Sequence, residues 1–344
     1  MNEPKPLNVF DYEYLARELL PPAIWDYICA GADDEVTLAR NRSSFEKIII
    51  RPNLLVDVSR IDTSTTVLGH TISAPILIAP TGQHAFVTPD AEIATSTAAS
   101  AANTVLVAST SSSRPIEEIA AAATCPVWFQ LYLFRDRERS EAMVRRAEAT
   151  GCRAIVLTVD SPRWGRKERS LRTEDELPWL NGNLSALPLA TCEYLDGAPA
   201  TWVDFEWLRR LTNLPLVIKG ILTAEDAVLA ANHGAEAVVV SNHGGRQLDG
   251  AIASIDALAE VVAAVDGKLE VYLDSGIRRG TDVLKSLALG ARAVLIGRPV
   301  LWGLAVHGSQ GALEILRMLT NELAWAMALS GRPSIRSIDR DLVR

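Results

Sequence analysis

The segment 241–250, with the sequence SNHGGRQLDG, carries the sharpest chemical signal in the chain. His243 and Arg246 stand three residues apart in a glycine-rich turn, so both side chains can reach one small ligand. An imidazole titrates near neutral pH and can take up a proton, whereas a guanidinium grips a carboxylate through two parallel hydrogen bonds. The segment therefore predicts acid–base chemistry on a carboxylic acid. The alternative is a histidine that only packs.

Two further segments follow the seventh and eighth predicted strands. They are DSGIRRG at 274–280 and IGRP at 296–299, and each pairs glycine with arginine just before a helix. Glycine lets backbone N–H groups approach an anion, a helix N-terminus favours negative charge, and Arg278 or Arg298 adds a forked donor. These segments predict a phosphate cradle, with two ordinary glycine turns and solvated arginines as the alternative. A phosphorylated cofactor or substrate is favoured.

The elements that must position these residues are short apolar runs rich in β-branched residues, alternating with segments of helical periodicity. Continuous apolar strands that alternate with helices predict a parallel sheet, and eight such units match an α/β fold of the (β/α)8 TIM barrel type. A doubly wound open sheet is the alternative. The predicted strands are 75–79, 104–108, 126–132, 154–160, 215–219, 237–242, 270–274 and 293–297, and the predicted helices include 91–102, 140–150, 224–233, 255–265 and 280–289.

The interval after the fourth predicted strand is unusually long and polar, which predicts an inserted loop at 161–202. We expect this loop to be a mobile lid over the barrel mouth. Residues 1–70 contain two amphipathic helices, near 11–20 and 23–30, and we expect this N-terminal helical segment to cover one end of the barrel. We predict that the chain, 1–344, is a single domain with its barrel at 71–344.

Polar residues stand at the ends of the predicted strands, where barrel enzymes carry their catalytic groups. A Lys, an Asp, a His and a Tyr together favour an enzyme over a scaffold. The residues at these ends are Thr81, Gly82, Ser109, Gln130, Tyr132, Thr158, Asp160, Lys219, Ser241, His243, Asp274, Gly276, Gly297 and Arg298.

Composition narrows the class of function. The chain has 344 residues, and 34 Lys+Arg against 42 Asp+Glu give a net charge of −8, which argues against a nucleic-acid partner. No apolar run is long enough to span a membrane, and the N-terminus lacks the pattern of a signal peptide. The four cysteines, Cys29, Cys125, Cys152 and Cys192, are isolated and read as reduced thiols, so we expect a cytoplasmic protein. The five histidines show no metal-ligand spacing, so no protein-built metal site is expected.

On these motifs the sequence resembles the FMN-dependent α-hydroxy acid oxidase and dehydrogenase family. The resemblance spans nearly the whole chain. It rests on DYICAGADDEVTLARNR, IAPTG, FQLY, LTVDSP, VIKGI, SNHGGRQLDG, LDSGIRRGTDVLKSLALGA and IGRP, in family order and spacing.

The resemblance implies oxidation of an (S)-2-hydroxy acid with FMN as cofactor, and it assigns roles to residues. His243 is implied to be the catalytic base, Asp160 the carboxylate that orients it, and Lys219 the cation at the N1/O2 edge of the flavin. Arg246 and Tyr27 are implied to bind the substrate carboxylate, and Tyr132 its hydroxyl. The residues implied to hold the isoalloxazine are Thr81, Ser109, Gln130, Thr158 and Ser241, and those implied to hold the ribityl phosphate are Asp274, Gly276, Arg278, Gly297 and Arg298.

The sequence departs from the family pattern on the inserted loop, where Lys167 stands at the position of a usual arginine. Lysine is a point charge rather than a fork, and the neighbouring Arg166 or Arg163 could take over the contact. The chain also lacks the haem domain and the apolar insert of some relatives. An oxidase that uses O2 is therefore favoured over a dehydrogenase with another acceptor, and the resemblance implies a homotetramer or octamer.

Two positions bear on substrate size. Gly82 stands where members acting on small substrates have alanine, and Ser111 stands where plant-type members have tryptophan. Both changes remove volume, so we expect a pocket that admits a longer or aryl 2-hydroxy acid such as mandelate. Phe134 and Trp164 could fill that space, which would favour lactate.

Two hypotheses of other classes stay open from the sequence. Lys219 could form a Schiff base in a barrel aldolase that acts on a phosphorylated substrate. The chain could also be a non-catalytic flavin- or phosphate-binding module, which would bind the cofactor without oxidising any 2-hydroxy acid.

Overall fold

The structure is a computed structural model that describes residues 6–172, 177–184 and 199–344. Eight parallel strands close into a barrel in chain order, with the last strand beside the first, which confirms the predicted TIM barrel and excludes the open sheet. The barrel strands are β3 (Ile76–Ile78), β4 (Leu106–Ser109), β5 (Val127–Leu131), β6 (Ile155–Thr158), β7 (Leu216–Ile221), β8 (Ala237–Val240), β9 (Glu270–Leu273) and β10 (Ala293–Ile296).

Twelve helices are present in the described part of the chain. The N-terminal ones lie outside the strand–helix repeat, and the helical segment predicted there contains three helices rather than two. The helices are α1 (Val9–Leu19), α2 (Pro22–Cys29), α3 (Val36–Lys47), α4 (Ala91–Ala101), α5 (Ile116–Ala121), α6 (Arg137–Ala149), α7 (Glu168–Leu171), α8 (Trp202–Leu211), α9 (Ala224–Asn232), α10 (Ser254–Val265), α11 (Gly280–Ala288) and α12 (Arg298–Leu329).

A small antiparallel hairpin precedes the barrel, with strands β1 (Thr65–Val67) and β2 (His70–Ile72). Its apolar residues Val67 and Ile72 are fully buried and belong to the same cluster as Trp128 and Tyr272, which fill the barrel interior. The hairpin is therefore a second cover for the barrel, which the sequence did not predict.

Strand β7 runs two residues further than predicted, and Gly220 takes a φ of +114° inside this extension. Its register with β8 shifts between Lys219 and Ile221 at this point. A Cβ atom on Gly220 would lie 2.7 Å from the Cβ of Asp160, so the glycine also makes room for that carboxylate. One backbone irregularity thus helps to bring Lys219 and Asp160 together.

None of the helices in the described residues is both long and apolar enough to cross a membrane. The three cysteines within that part of the chain, Cys29, Cys125 and Cys152, are free thiols, whereas Cys192 lies outside the described residues.

Candidate active site

The polar side chains of the candidate site follow the same two-residue period as the side chains that face the barrel interior. Val107 and Val239 face the packed interior, and two residues further along come Ser109 and Ser241. Because side chains on a strand alternate with a period of two, these polar residues stand directly above the interior layer. Residues of this polar layer are Thr81, Ser109, Gln130, Thr158, Lys219, Ser241 and Asp274, and a further step of two reaches Tyr132, Asp160 and His243.

A cavity of about 630 Å³ opens above this layer, within the usual range of small-molecule sites. Most of the predicted site residues line it, and the remaining four stand behind the lining. The lining residues are Tyr27, Thr81, Gly82, Ser109, Ser111, Tyr132, Lys167, Lys219, His243, Arg246, Asp274, Gly276, Arg278, Gly297 and Arg298, and those behind are Gln130, Thr158, Asp160 and Ser241.

His243 and Asp160 form a hydrogen-bonded pair. His243 Nδ1 lies 2.8 Å from Asp160 Oδ1. Burial of Asp160 raises its pKa, but attraction to His243 and Lys219 outweighs burial and lowers the pKa to about 2. An ionised carboxylate only accepts hydrogen bonds, so the imidazole carries its proton on Nδ1. Nε2 is then left with a lone pair, 3.5 Å from the hydroxyl of Tyr132.

The pKa of His243 lies below its usual 6.5. Burial is the largest cause and lowers it, Asp160 opposes burial, and the charges of Lys219 and Arg246 lower the pKa further. The histidine is therefore neutral at neutral pH. That is the state that a general base requires.

Lys219 is buried and held as a cation. Its Nζ lies 3.2 Å from Asp274 Oδ2 and 4.0 Å from Asp160 Oδ2, and it donates to Ser241 Oγ at 2.9 Å. Burial lowers the pKa of Lys219, but the two carboxylates raise it more, so the net shift is upward. A Schiff-base lysine must be a neutral amine to attack a carbonyl, so this environment argues against the aldolase hypothesis.

Three arginines at the cavity, the buried Arg278 and the half-buried Arg246 and Arg298, form no ion pair with any carboxylate of the described residues. Burial lowers the pKa of Arg278 to about 10. Burial, with repulsion from Arg246 and Arg278, lowers the pKa of Arg298 to about 9. Buried charges are costly unless they are paired. The cluster therefore fits anionic ligands that enter the cavity.

Two of these arginines share the end of helix α2. Arg246 Nη1 donates to the carbonyl oxygens of Ile28 and Ala30, and Arg298 donates to the same two oxygens. Arg246 also lies over the ring of Tyr27, 5.5 Å from its centroid. The helix end places Tyr27 beside Arg246, the pair expected to bind a carboxylate. Tyr27 by itself had no sequence signal beyond the resemblance.

The glycines of the predicted cradle lie close to other segments. Gly276 has a φ of +84°, and a Cβ atom there would lie 2.2 Å from the carbonyl oxygen of Asn41. Only glycine fits such an approach with a left-handed backbone. Gly297 precedes α12, and a Cβ atom there would lie 3.2 Å from Thr81. The cradle thus presents backbone beside Arg278 and Arg298, as a phosphate requires.

The residues behind the lining form a buried polar network. The amide of Gln130 accepts from Ser109 Oγ at 3.0 Å and donates to Thr158 Oγ1 at 3.1 Å. Ser241 accepts from Lys219 as described above. These side chains set the orientation of the lining groups, and direct contact of Gln130, Thr158 and Ser241 with the isoalloxazine stays a prediction.

On the inserted loop, Lys167 and Arg166 line the cavity, whereas Arg163 is exposed and is absent from the lining. Lys167 Nζ donates to the carbonyl oxygen of Gly165 at 2.9 Å and lies 5.7 Å from the ring centroid of Trp164. Burial, with repulsion from Arg246, lowers its pKa to about 8. The described parts of the loop thus reach the barrel mouth, and its mobility stays a prediction.

The two substrate-size positions touch each other. A Cβ atom on Gly82 would lie 2.8 Å from both Cβ and the carbonyl oxygen of Ser111. The expectation that Gly82 leaves free volume is therefore wrong, because the missing methyl group is what lets Ser111 approach. Phe134 is also not part of the cavity lining but lies in the core, whereas Trp164 does line the cavity.

Sequence reasoning missed Trp179, which lines the cavity from the inserted loop. Its ring packs edge to face on Tyr27 and Phe86, with centroids 5.1 and 5.4 Å apart. The only signal was an aromatic residue within a proline-containing loop, LPWL. That signal does not show which residues the ring contacts.

Together these features define a barrel site that pairs a cradle suited to a phosphate group with a base and an arginine suited to a carboxylic acid. The residues present fit FMN, because its phosphate suits the cradle and the adjacent Arg278 and Arg298, which form no ion pair among the described residues. Residues 16–344 match the family described as FMN-dependent dehydrogenase, and the chain belongs to it. As a member, it is an FMN-dependent oxidoreductase of the 2-hydroxy acid class.

Known proteins resemble this chain over nearly its whole length. An L-lactate oxidase of Nostoc sp. is 49% identical, with 97% of each chain covered. Glycolate oxidase 1 of Oryza sativa subsp. indica is 47% identical over 97% of this chain and 94% of its own. A crystal structure of mandelate oxidase superposes with a TM-score of 0.94 at 43% identity, covering 99% of this chain and 98% of that one.

Proposed function

We propose that the enzyme oxidises an (S)-2-hydroxy acid with an aryl or long apolar side chain to the 2-oxo acid, and passes the electrons to O2 to give H2O2. The observation that carries the proposal is the placement of His243, whose Nδ1 is held by Asp160 at 2.8 Å, whose Nε2 points towards Tyr132, and which shares one cavity with Arg246. A base next to a carboxylate-binding arginine suits a substrate whose hydroxyl-bearing carbon adjoins its carboxylate.

The chain's own residues prepare the substrate for this reaction. Arg246 and Tyr27 bind the carboxylate, and Tyr132 hydrogen bonds the hydroxyl. His243 Nε2 takes up a proton from the substrate, and Asp160 stabilises the imidazolium that results. Conversion of the alcohol carbon to a carbonyl releases two electrons and two protons, of which His243 takes up one proton. The second proton and the two electrons would pass to the acceptor that FMN supplies.

The cofactor side of the cavity completes this arrangement. We propose that Gly276, Arg278, Gly297 and Arg298 hold the phosphate of FMN, and that Lys219 faces the flavin ring as a cation. When bound, FMN supplies the acceptor for the two electrons. Lys219 would then stabilise negative charge on its side of the cavity, because its two carboxylate partners keep it protonated.

Ser111 supports the preference for a large side chain. It lines the cavity with a small side chain at the place where plant-type members carry tryptophan, and Trp164 and Trp179 offer aromatic surface at the same cavity. Burying a phenyl ring stabilises a complex by roughly 2 kcal/mol, or about thirtyfold in kcat/KM over glycolate. Lactate would be preferred instead if Trp164 filled this space.

The test is anaerobic bleaching of the flavin absorption by glycolate, lactate and (S)-mandelate, followed by admission of air. We expect the highest kcat/KM with (S)-mandelate, reoxidation in air and formation of H2O2. Ser111→Trp should lower kcat/KM for (S)-mandelate and leave glycolate nearly unchanged. Bleaching without reoxidation would indicate a dehydrogenase with another acceptor, and no bleaching by any of the acids would contradict the proposed function.

We further propose that the protein is a cytoplasmic homotetramer or octamer. The resemblance to the family supports the assembly, and the free thiols support a reducing compartment. Sedimentation of the holoenzyme and fractionation of the native cells test these two statements.

A further inference from the structure

The described loop segment 177–184 is fixed to the barrel mouth by the side chain of Gln83. The amide Nε2 of Gln83 donates to the carbonyl oxygen of Leu180 at 2.6 Å, and the backbone N–H of Leu180 donates to Gln83 Oε1 at 3.0 Å. This pair of hydrogen bonds reproduces the pairing between two neighbouring strands. Gln83 is only 2% exposed, so both bonds are shielded from water.

The same amide also bonds to Ser111, which lines the cavity. Gln83 Nε2 donates to the carbonyl oxygen of Ser111 at 2.9 Å. Ser111 is the small residue that lines the cavity in the region proposed for the substrate side chain. One side chain therefore connects the loop segment to the wall on which the substrate preference depends.

A second anchor lies three residues further along the segment. The fully buried Asn183 donates through Nδ2 to the carbonyl oxygens of Ser109 and Thr110, and its Oδ1 accepts from the backbone N–H of Ile116 at 2.8 Å. With Asn183 fixed independently, loss of Gln83 would release the part of the segment nearest Leu180 and not its far end.

Trp179 immediately precedes the clamped Leu180. Its ring packs against Tyr27, the residue expected to bind the substrate carboxylate, and it lines the same cavity. Trp179 is still 52% exposed, so its ring contacts with Tyr27 and Phe86 do not enclose it. Its position therefore depends on the backbone that carries it.

We propose that Gln83 is a positioning residue that holds Trp179 as a wall against the side chain of the substrate, and that this wall selects aryl over small 2-hydroxy acids. The proposal rests on the proposed function and names the residues that set its substrate class. Gln83 also lines the cavity, but both atoms of its amide are engaged by the backbone of Leu180 and Ser111, so we assign it a role through Trp179.

The experiment compares kcat and KM for (S)-mandelate and glycolate in native enzyme, Gln83→Met, Trp179→Ala and the double variant. Methionine matches glutamine in size but forms none of the three hydrogen bonds that the amide makes with Leu180 and Ser111. We expect Gln83→Met to raise KM for (S)-mandelate about tenfold with kcat within about twofold, and to change glycolate less than about twofold, because glycolate has no side chain to contact the wall. In the Trp179→Ala background, Gln83→Met should not change the ratio of kcat/KM for (S)-mandelate to kcat/KM for glycolate any further.

Two control variants separate a general disturbance of the structure from a specific loss of the Trp179 position. Gln310→Met makes the same substitution at an exposed glutamine of α12 and should leave both substrates unchanged. Trp179→Phe should retain most of the preference. If Gln83→Met does not fold, the half-exposed Trp179→Ala still decides the question, since an unchanged mandelate-to-glycolate ratio there overturns the proposal.

Equal losses for both acids in Gln83→Met, or additive effects in the double variant, would likewise overturn it. The proposed function is tested on the native enzyme, whereas this inference is tested on the change in the ratio between native and variant. Failure of one is therefore distinguishable from failure of the other.

Discussion

Asp160 accepts a hydrogen bond from His243 Nδ1 at 2.8 Å while its second carboxylate oxygen, which is buried, forms no hydrogen bond among the described residues. That second oxygen lies 4.0 Å from Lys219 Nζ. The carboxylate is thus placed between the base and the cation. It fixes the tautomer of His243 and raises the pKa of both neighbours against their burial.

Replacing His243 should remove the base and leave the cofactor in place. We expect His243→Gln to lower the rate of anaerobic flavin reduction at least about a hundredfold, because general-base catalysis is lost while Arg278 and Arg298 are untouched. His243 has a φ of +59°, which asparagine tolerates well, so His243→Asn separates loss of the base from backbone strain. Near-normal bleaching in both variants would contradict the assignment.

The pH profile of kcat/KM should report the lowered pKa of His243. The neutral form is the active one, so activity should rise with pH through a value below 6.5 and be level at neutral pH. Asp160→Asn removes the group that raises this pKa, so the acid limb should move to lower pH while the plateau falls. An acid limb that moves upward would contradict the pairing.

Titration of Lys167 should make KM depend on pH on the alkaline side of neutrality. Its pKa of about 8 means that the ammonium is present below that pH and lost above it, so KM for a carboxylate substrate should rise as the pH passes 8. Lys167→Met should raise KM below pH 8 and flatten the rise above it. The exposed Arg163→Met is the matched control, and an effect there equal to that of Lys167→Met would transfer the contact to Arg163.

Arg246→Lys should weaken substrate binding by about tenfold to a hundredfold. Lysine keeps the charge but loses the fork and the contacts with Ile28 and Ala30 at the end of α2. Turnover should fall as well, because the substrate is less firmly oriented towards His243. Steady-state kinetics with (S)-mandelate measures both effects, and an unchanged KM would place the carboxylate elsewhere.

Arg278→Met should weaken FMN binding by about tenfold or more, measured by fluorescence titration of the FMN-free protein. Arg278 is buried without an ion pair in the described structure, so a phosphate is its natural partner. The neighbouring Arg279 is 41% exposed and pairs with Glu322, and Arg279→Met should leave FMN affinity unchanged. Similar losses in both variants would indicate a general effect of charge.

The barrel could be predicted because its signal is local and repeated, as the apolar runs around Val107 and Val239 illustrate. The layer of polar side chains could be predicted for the same reason, since it follows the period of the strands. The clamp of Gln83 on Leu180 could not. It joins residues 97 positions apart through side-chain-to-backbone hydrogen bonds, which leave no periodic pattern.

Other differences have similar causes. The strands of the hairpin at Thr65–Val67 and His70–Ile72 are three residues long, too short for an alternation to be recognised. Helix α12 contains a break at His307 and Gly308, where the backbone leaves helical geometry. Its 32 residues therefore have no continuous apolar stripe. Gly82 was misjudged because the sequence shows a missing side chain but not the neighbour that takes its place.

The shared carbonyl oxygens of Ile28 and Ala30 limit how this barrel can be reused as a design scaffold. A version trimmed to the eight strand–helix units would remove both acceptors of Arg246 and two of the three acceptors of Arg298. Two half-buried cations would then lie close together at the mouth of the barrel with few hydrogen-bond acceptors left. A designer who wants a minimal flavin barrel must graft two replacement acceptors or keep the leading helices.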